Sequence, residues 1–182
     1  MEFKDLGLIE PLLAALAAAE HTTPTPIQAE SLPLLLAGRD LCGTAQTGTG
    51  KTAAFVLPIL QGLAAMPPAS GVRPVRALVL APTRELAVQI DGAFAIYGAS
   101  LPEIRHTVLY GGMKMRAQRR AVGEGTDILV ATPGRLIDLV GQGVVQLGDV
   151  KHFVLDEADR MLDLGFLNDV RTIIKRLVAS ST

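Results

Sequence analysis

Short apolar runs alternate with longer amphipathic stretches along this chain. The runs are Asp40-Leu41-Cys42-Gly43, Ala77-Leu78-Val79-Leu80-Ala81, His106-Thr107-Val108-Leu109-Tyr110, Asp127-Ile128-Leu129-Val130-Ala131 and His152-Phe153-Val154-Leu155-Asp156. They are continuous rather than alternating, the pattern of strands buried on both faces. A strand-then-helix rhythm of this kind predicts an α/β fold with a mainly parallel central sheet and helices on both faces. Between the runs, Thr83 is a good N-cap and Glu85 sits where the helix dipole favours an acid. Leu86, Ile90, Ala93 and Tyr97 then follow at helical spacing. Pro11 to Ala19 opens with proline and is rich in Leu and Ala, so it is expected to be helical too. Gly62 to Pro74 reads as a surface loop rather than a boundary, because strand-helix units continue beyond it. The expectation is therefore one domain over 1–182, a length that buries a sizeable core.

Composition narrows the classes. Apolar residues make up 49 % of the 182, which excludes a disordered chain. Lys and Arg number 17 against 18 Asp and Glu, a net charge of −1. That balance argues against bulk electrostatic capture of nucleic acid or membrane and leaves a local basic surface open. Cys42 is the sole cysteine, so neither an intrachain disulfide nor a zinc cluster is available. A reducing, cytoplasmic setting is expected. Met1-Glu2-Phe3-Lys4-Asp5 lacks the pattern of a signal peptide. The uncharged run Thr52 to Val72 is broken by Pro58, Gln61, Gly62, Pro67 and Pro68, and reads as a buried helix and a loop, not a membrane span. With five Phe, two Tyr and no Trp, any base-stacking surface is small.

The strongest local signal is Ala45-Gln46-Thr47-Gly48-Thr49-Gly50-Lys51-Thr52, the Walker A pattern with Ala first. It follows one predicted strand and opens a predicted helix, the setting the motif requires. Gly48 and Gly50 permit a backbone that turns successive N–H groups inward. The helix starting near Lys51 points its positive end at phosphate. Lys51 adds a full charge for the outer phosphates, and the Thr52 hydroxyl can hold Mg²⁺. A P-loop needs an acidic partner at the end of another strand. Asp156-Glu157-Ala158-Asp159 provides one, with Asp156 to hold Mg²⁺ through water and Glu157 to orient and deprotonate the attacking water. The plainer alternative is an acidic helix start favoured by the dipole.

Asp156-Glu157-Ala158-Asp159 also spells D-E-A-D. With Pro24-Thr25-Pro26-Ile27-Gln28, Pro82-Thr83-Arg84-Glu85-Leu86, Gly111-Gly112 and Thr132-Pro133-Gly134-Arg135, it closely resembles the DEAD-box RNA helicases. Each motif alone is weak, but the ordered set spans almost the whole chain. The stretch Arg160 to Phe166 is most similar to the bacterial RhlE-type branch. The resemblance implies the amino-terminal RecA-like domain of an ATP-dependent RNA helicase. It implies that Gln28 reads adenine through a donor and an acceptor on one carboxamide. It also places Phe3 near the base and Thr25 behind the phosphate loop. Where the family usually has a Gly-aromatic pair, this sequence has Glu20-His21; the His21 ring is left to stack on adenine.

Thr83, Arg84, Gly111, Gly112, Thr132, Gly134 and Arg135 match positions that grip the RNA sugar-phosphate backbone. Hydroxyls, guanidinium groups and glycine-exposed N–H groups suit phosphate oxygens and carry no base information. Between Arg105 and Arg120 stand five basic residues and no acid: Arg105, Lys114, Arg116, Arg119 and Arg120. They form either a solvated helix face or an added RNA contact. The family's first domain continues into a strand with a Ser-Ala-Thr motif and then a second RecA-like domain with arginine fingers. The sequence stops before either and is expected to be truncated, to bind ATP and Mg²⁺ as a monomer, and to hydrolyse poorly alone. Two rival readings are a P-loop ATPase acting on DNA or protein, and a binding platform with a vestigial nucleotide site.

Overall fold

The computed structural model describes residues 1–46, 48–66 and 73–179. These fall into two compact units, one drawn from 1–66 and 92–104, the other from 73–91 and 105–179. Among the described residues no helix is long and apolar enough to cross a membrane.

The first unit is helical. A 3-10 turn at Phe3–Leu6 buries Phe3 and Leu6, with Asp5 Oδ2 accepting from the Glu2 N–H at 2.8 Å. Helix α1 (Glu10–Ala18) carries Pro11 in its first turn, where proline's missing N–H costs nothing, and buries Leu12, Ala15 and Leu16. Helix α2 (Pro26–Leu36) starts on the same proline principle after Thr25. Helix α3 (Lys51–Ala64) is buried along most of its length, with Val56, Leu57, Ile59, Leu60 and Leu63 each at most 3 % exposed. Gln61 fastens α3 to the junction before α1: its Oε1 accepts from Ile9 N–H at 2.9 Å and its Nε2 donates to Gly7 C=O at 3.0 Å.

The second unit is built on four parallel strands: β1 (Ala77–Leu80), β2 (His106–Leu109), β3 (Ile128–Ala131) and β4 (His152–Leu155), in the order β2-β3-β1-β4. Register is in step across the sheet, with Leu80 opposite both Ala131 and Leu155, and Leu109 also opposite Ala131. Every residue of β1 and β3 is buried, as their continuous apolar runs require. The outer strands β2 and β4 are only partly covered. Leu78, Leu80, Leu109, Leu129 and Ala131 form a core with Val122 of α5 (Met115–Gly123), Leu136 and Leu139 of α6 (Pro133–Gly141), Met161 of α7 (Ala158–Asp163), and Val170 and Ile173 of α8 (Leu167–Ala179). Each fully buried leucine contributes about 1.5–3 kcal/mol. Helix α4 (Arg84–Tyr97) joins β1 to β2 and spans both units.

The amino edge of the sheet is held by a buried ion cluster. Asp127, 1 % exposed, accepts from Arg76 Nε and Nη2 at 3.0 and 2.7 Å, from Arg73 Nη1 at 2.8 Å and from the Arg105 N–H at 2.9 Å. Burying that carboxylate is tolerable because every contact is charge-assisted or to a backbone donor.

Three expectations are corrected. The run Asp40 to Gly43 forms no strand. It holds only Leu41 and Cys42 as apolar residues, between Arg39-Asp40 and a glycine, and Leu41 stays 43 % exposed. Gly62 lies inside α3, so the loop starts after that helix; 67–72 lie outside the described residues. The buried stripe of α4 is Ala87, Ile90, Phe94 and Tyr97, with Leu86 and Ala93 half-covered at its margin.

Candidate functional site

The phosphate loop lies in the first unit. Gly48 (φ +83°) and Gly50 (φ +89°) both take the left-handed backbone for which glycine alone carries no penalty. Gly50 is the N-cap of α3, so the unpaired N–H groups of that helix open onto the loop. Lys51 Nζ donates to Ala45 C=O at 2.7 Å and Thr49 Oγ1 to Gln46 C=O at 2.7 Å, so the loop is drawn closed on itself. Thr47 lies outside the described residues. Thr52 is half-buried in the first turn of α3.

Gln28 links the loop to α2. Its Oε1 accepts from the Thr25 N–H at 3.0 Å, capping α2, and its Nε2 donates to Gly50 C=O at 3.0 Å. Gln28 as a whole is 6 % exposed. A Cβ at Gly50 would collide with Gln28 Nε2 and Thr25 Oγ1 and would strain the left-handed backbone, so a larger residue would displace the Gln28 bridge. Thr25 Oγ1 is buried behind the loop, turned to the Gln28 N–H in the capping box that opens α2. Two left-handed glycines, a lysine and the open end of α3 together fit a loop shaped for phosphate. His21 Nδ1 lies 3.1 Å from the Tyr97 hydroxyl, and the rings are tilted at 41° with centroids 6.0 Å apart. Burial pushes the Tyr97 pKa up. Phe3 is 4 % exposed and presents little surface to a ligand.

The acidic motif lies in the second unit. The Asp156 N–H donates to Leu80 C=O at 3.0 Å, which extends the β4 ladder by one residue before the chain turns. Asp156 Oδ1 then accepts from the Glu157 N–H at 3.0 Å. Glu157 has φ +50° and ψ +50°, a left-handed conformation unusual for a residue with a side chain, and it is the N-cap of α7. Arg160 Nη1 stands 3.9 Å from Glu157 Oε2. No cluster of three or more His, Cys, Asp or Glu forms a ready metal cage among the described residues. The hydroxyl of Thr52 and the carboxylate of Asp156 are hard oxygen donors, the kind Mg²⁺ takes when most of its shell is water and phosphate.

The backbone-gripping candidates collect at the carboxyl edge of neighbouring strands. Thr83 and Arg84 follow β1, Gly111 and Gly112 follow β2, and Thr132, Gly134 and Arg135 follow β3. Thr83 Oγ1 accepts from the Leu86 N–H at 3.3 Å, capping α4. The Arg84 guanidinium lies over the Tyr110 ring, 5.0 Å from its centroid. Arg84 Nη1 would stand 4.0 Å from a Cβ at Gly112, whose φ is +92°. The Thr132 N–H donates to Leu109 C=O at 3.0 Å, and Thr132 occupies the N-cap position of α6 without a side-chain capping bond. Arg135 Nη1 approaches Met113 C=O at 3.4 Å. Lys114, Arg116 and Arg119 are exposed, while Arg120 pairs with Glu124 at 2.8 Å. Reading the sequence missed Tyr110 and Gln118, which organise this loop. The available signal was a glutamine on the apolar side of an otherwise arginine-rich helix.

Comparisons with known proteins speak to the family and the fold. The DEAD/DEAH box helicase family matches residues 25–182. The chain is 47 % identical over 175 residues to the ATP-dependent RNA helicase DeaD of Escherichia coli K12, covering 96 % of this chain and 27 % of that protein. It is 51 % identical over 176 residues to the ATP-dependent rRNA helicase RRP3 of Ajellomyces capsulatus, covering 96 % of this chain and 35 % of that protein. The fold superposes on the yeast DEAD-box splicing factor Prp28 with a TM-score of 0.92 at 34 % identity, over 100 % of this chain and 44 % of Prp28. The chain thus spans about a quarter to a third of these two curated relatives. Its α/β architecture is that of the DEAD-box RecA-like domain. On its motifs, its fold and these matches, the chain belongs to the DEAD/DEAH box helicase family.

Proposed function

We propose that this chain is the ATP-binding RecA-like domain of an ATP-dependent RNA helicase. The observation that carries this reading is the juxtaposition at one sheet edge of Thr83-Arg84, Gly111-Gly112 and Thr132 to Arg135, in a chain that also holds a glycine-cradled phosphate loop. Hydroxyls, guanidinium groups and exposed N–H groups bind a phosphate backbone irrespective of base. Lys51 and the amino end of α3 hold the nucleotide's phosphates; Gln28 reads adenine, with Phe3 and His21 on the base side and Thr25 behind the loop. Thr52 and Asp156 would hold Mg²⁺, which supplies neutralising charge to the phosphates. Glu157 orients and deprotonates the attacking water. Hydrolysis that releases single strands from short duplexes requires a second RecA-like domain whose arginines complete the site, a contribution of about 10³–10⁵ in turnover for P-loop enzymes. The domain alone is a monomer, and the protein works in the cytoplasm. The RhlE-type branch rests on Arg160 to Phe166 alone.

The test is nucleotide turnover with RNA or DNA of equal length, in the full-length protein and in this domain. RNA-stimulated hydrolysis by the full-length protein, abolished in Glu157→Gln with ATP binding retained, is expected. Asp156→Asn weakens the Mg²⁺-dependent binding as well. Equal stimulation by DNA, a fully active Glu157→Gln protein, or robust RNA-stimulated hydrolysis by the short domain overturns the reading.

A further inference from the structure

Gln118 sits on the buried face of α5, 1 % exposed, one turn before Val122. An apolar side chain is the ordinary occupant of such a position. Here a carboxamide occupies it, and only half of that group is satisfied. Nε2 donates to Tyr110 C=O at 3.1 Å and, at the long limit of a hydrogen bond, to Met113 C=O at 3.5 Å. Oε1 is buried with no partner, which costs stability. A leucine or methionine would fill the space without that cost. What the amide does, and an apolar group cannot, is hold the two carbonyls that flank Gly111 and Gly112.

A Gly-Gly turn is the most pliable dipeptide a chain can contain, and its N–H groups bind an anion well only when their direction is fixed. The same loop is braced elsewhere, by Arg84 on the Tyr110 ring and by Arg135 on the Met113 carbonyl. Both arginines are candidates for the RNA backbone, so their grip on the loop is shared with a ligand. Gln118 is buried and shares nothing. We propose that Gln118 is a positioning residue of the RNA-backbone site, holding the Tyr110–Met113 turn so that the Gly111 and Gly112 N–H groups stay aimed at the sugar-phosphate chain. This rests on the RNA reading given above.

The experiment uses the full-length protein and three variants: Gln118→Met, Gln118→Glu and Arg135→Ala. Methionine keeps the volume, removes the donor and removes the orphaned acceptor. The RNA concentration for half-maximal ATPase stimulation is expected to rise about tenfold, as a small misplacement of binding groups produces. The KM for ATP and the melting temperature stay at the wild-type values. A lowered melting temperature with unchanged RNA dependence overturns the proposal in favour of plain core packing, as does a variant identical to wild type in all three measurements. If Gln118→Met folds poorly, Gln118→Glu, which turns a carboxylate towards the same carbonyls, is judged by the same criteria. Failure of both to fold also assigns Gln118 to packing. Arg135→Ala separates the two levels: with no change in its RNA dependence the RNA reading itself falls, whereas a change there without one in Gln118→Met removes only this inference.

Discussion

Gln28 shows how one side chain serves two parts of a site. Its carboxamide caps α2 and reaches Gly50 at the mouth of the phosphate loop. One N–H and one lone pair remain on the group for a base edge. Gln28→Ala is therefore expected to weaken binding of both ATP and GTP by loosening the loop, and ATP by about 1–3 kcal/mol more. Calorimetry giving equal losses for the two nucleotides would reduce Gln28 to a strut. His106 supports a second residue-scale prediction. Donation from its Nδ1–H to Asp91 Oδ1 at 2.7 Å raises the His106 imidazole pKa above its ordinary 6.5; burial opposes this and the Asp91 charge adds to it. A raised folded-state pKa means stability fully present below about pH 6.5 and lost as pH climbs through the raised value. His152 works in the opposite sense, its pKa lowered first by burial and then by Arg76, so its contribution is lost as pH falls. Melting curves between about pH 5.5 and 8.5 should lose the His106 component in Asp91→Asn and keep the His152 component. Identical pH profiles for the two proteins would remove the pair from the account. At this scale the sequence was informative for residues in motifs. It gave no role to Asp91, Gln118 or the Tyr110 ring, which act through partners set beside them by the fold.

Elements read well where they are long or deeply buried. Helix α4 and strands β1 and β3 stood out in the sequence because a 3.6-residue stripe or an unbroken apolar run leaves few alternatives, and α1 because a proline opens a Leu/Ala-rich stretch. The run Asp40 to Gly43 misled for the converse reason: two apolar residues between charges and a glycine do not hold a strand unaided. The turn from β4 into α7 has its own signature. Glu157 adopts the left-handed region at the one position where the acidic motif must leave the sheet and start a helix. Left-handed backbone costs an ordinary residue about 1–2 kcal/mol, and glycine gives part of that back through chain entropy. Glu157→Gly should therefore raise the unfolding free energy by about 0.5–1 kcal/mol while abolishing turnover in the full-length protein. A urea titration showing a loss of stability instead would mean that the conformation is unstrained.

Across the second unit, the two edges of the sheet do different work. The amino edge carries the Asp127 cluster with Arg73 and Arg76, and the carboxyl edge carries the loops. Asp127→Ala deprives both guanidinium groups of this carboxylate and is expected to cost about 3–5 kcal/mol in chemical denaturation. A cost below about 1 kcal/mol would show that the cluster breaks even against its own desolvation. Its place at the far end of the strands predicts that the milder Asp127→Asn leaves nucleotide affinity alone. The sheet class was legible in the sequence, whereas the strand order β2-β3-β1-β4 was not, because the helices that skip a neighbour look like those that do not. That order has a metric consequence. Neighbouring strands stand about 4.8 Å apart, so the loops after β2, β3 and β1 are graduations on a scale roughly 10 Å wide. On the proposed RNA reading the sheet is thus a ruler, gauging the repeat of a polymer and indifferent to its letters. Its calibration is the pairing of Leu109 and Leu80 with Ala131. A slip of one residue in β3 would shift Thr132 to Arg135 by about 3.3 Å against the glycine turn, beyond the reach of any hydrogen bond there. Substitutions in strand cores, remote from every loop, can therefore misplace the loops that the proposed RNA site depends on.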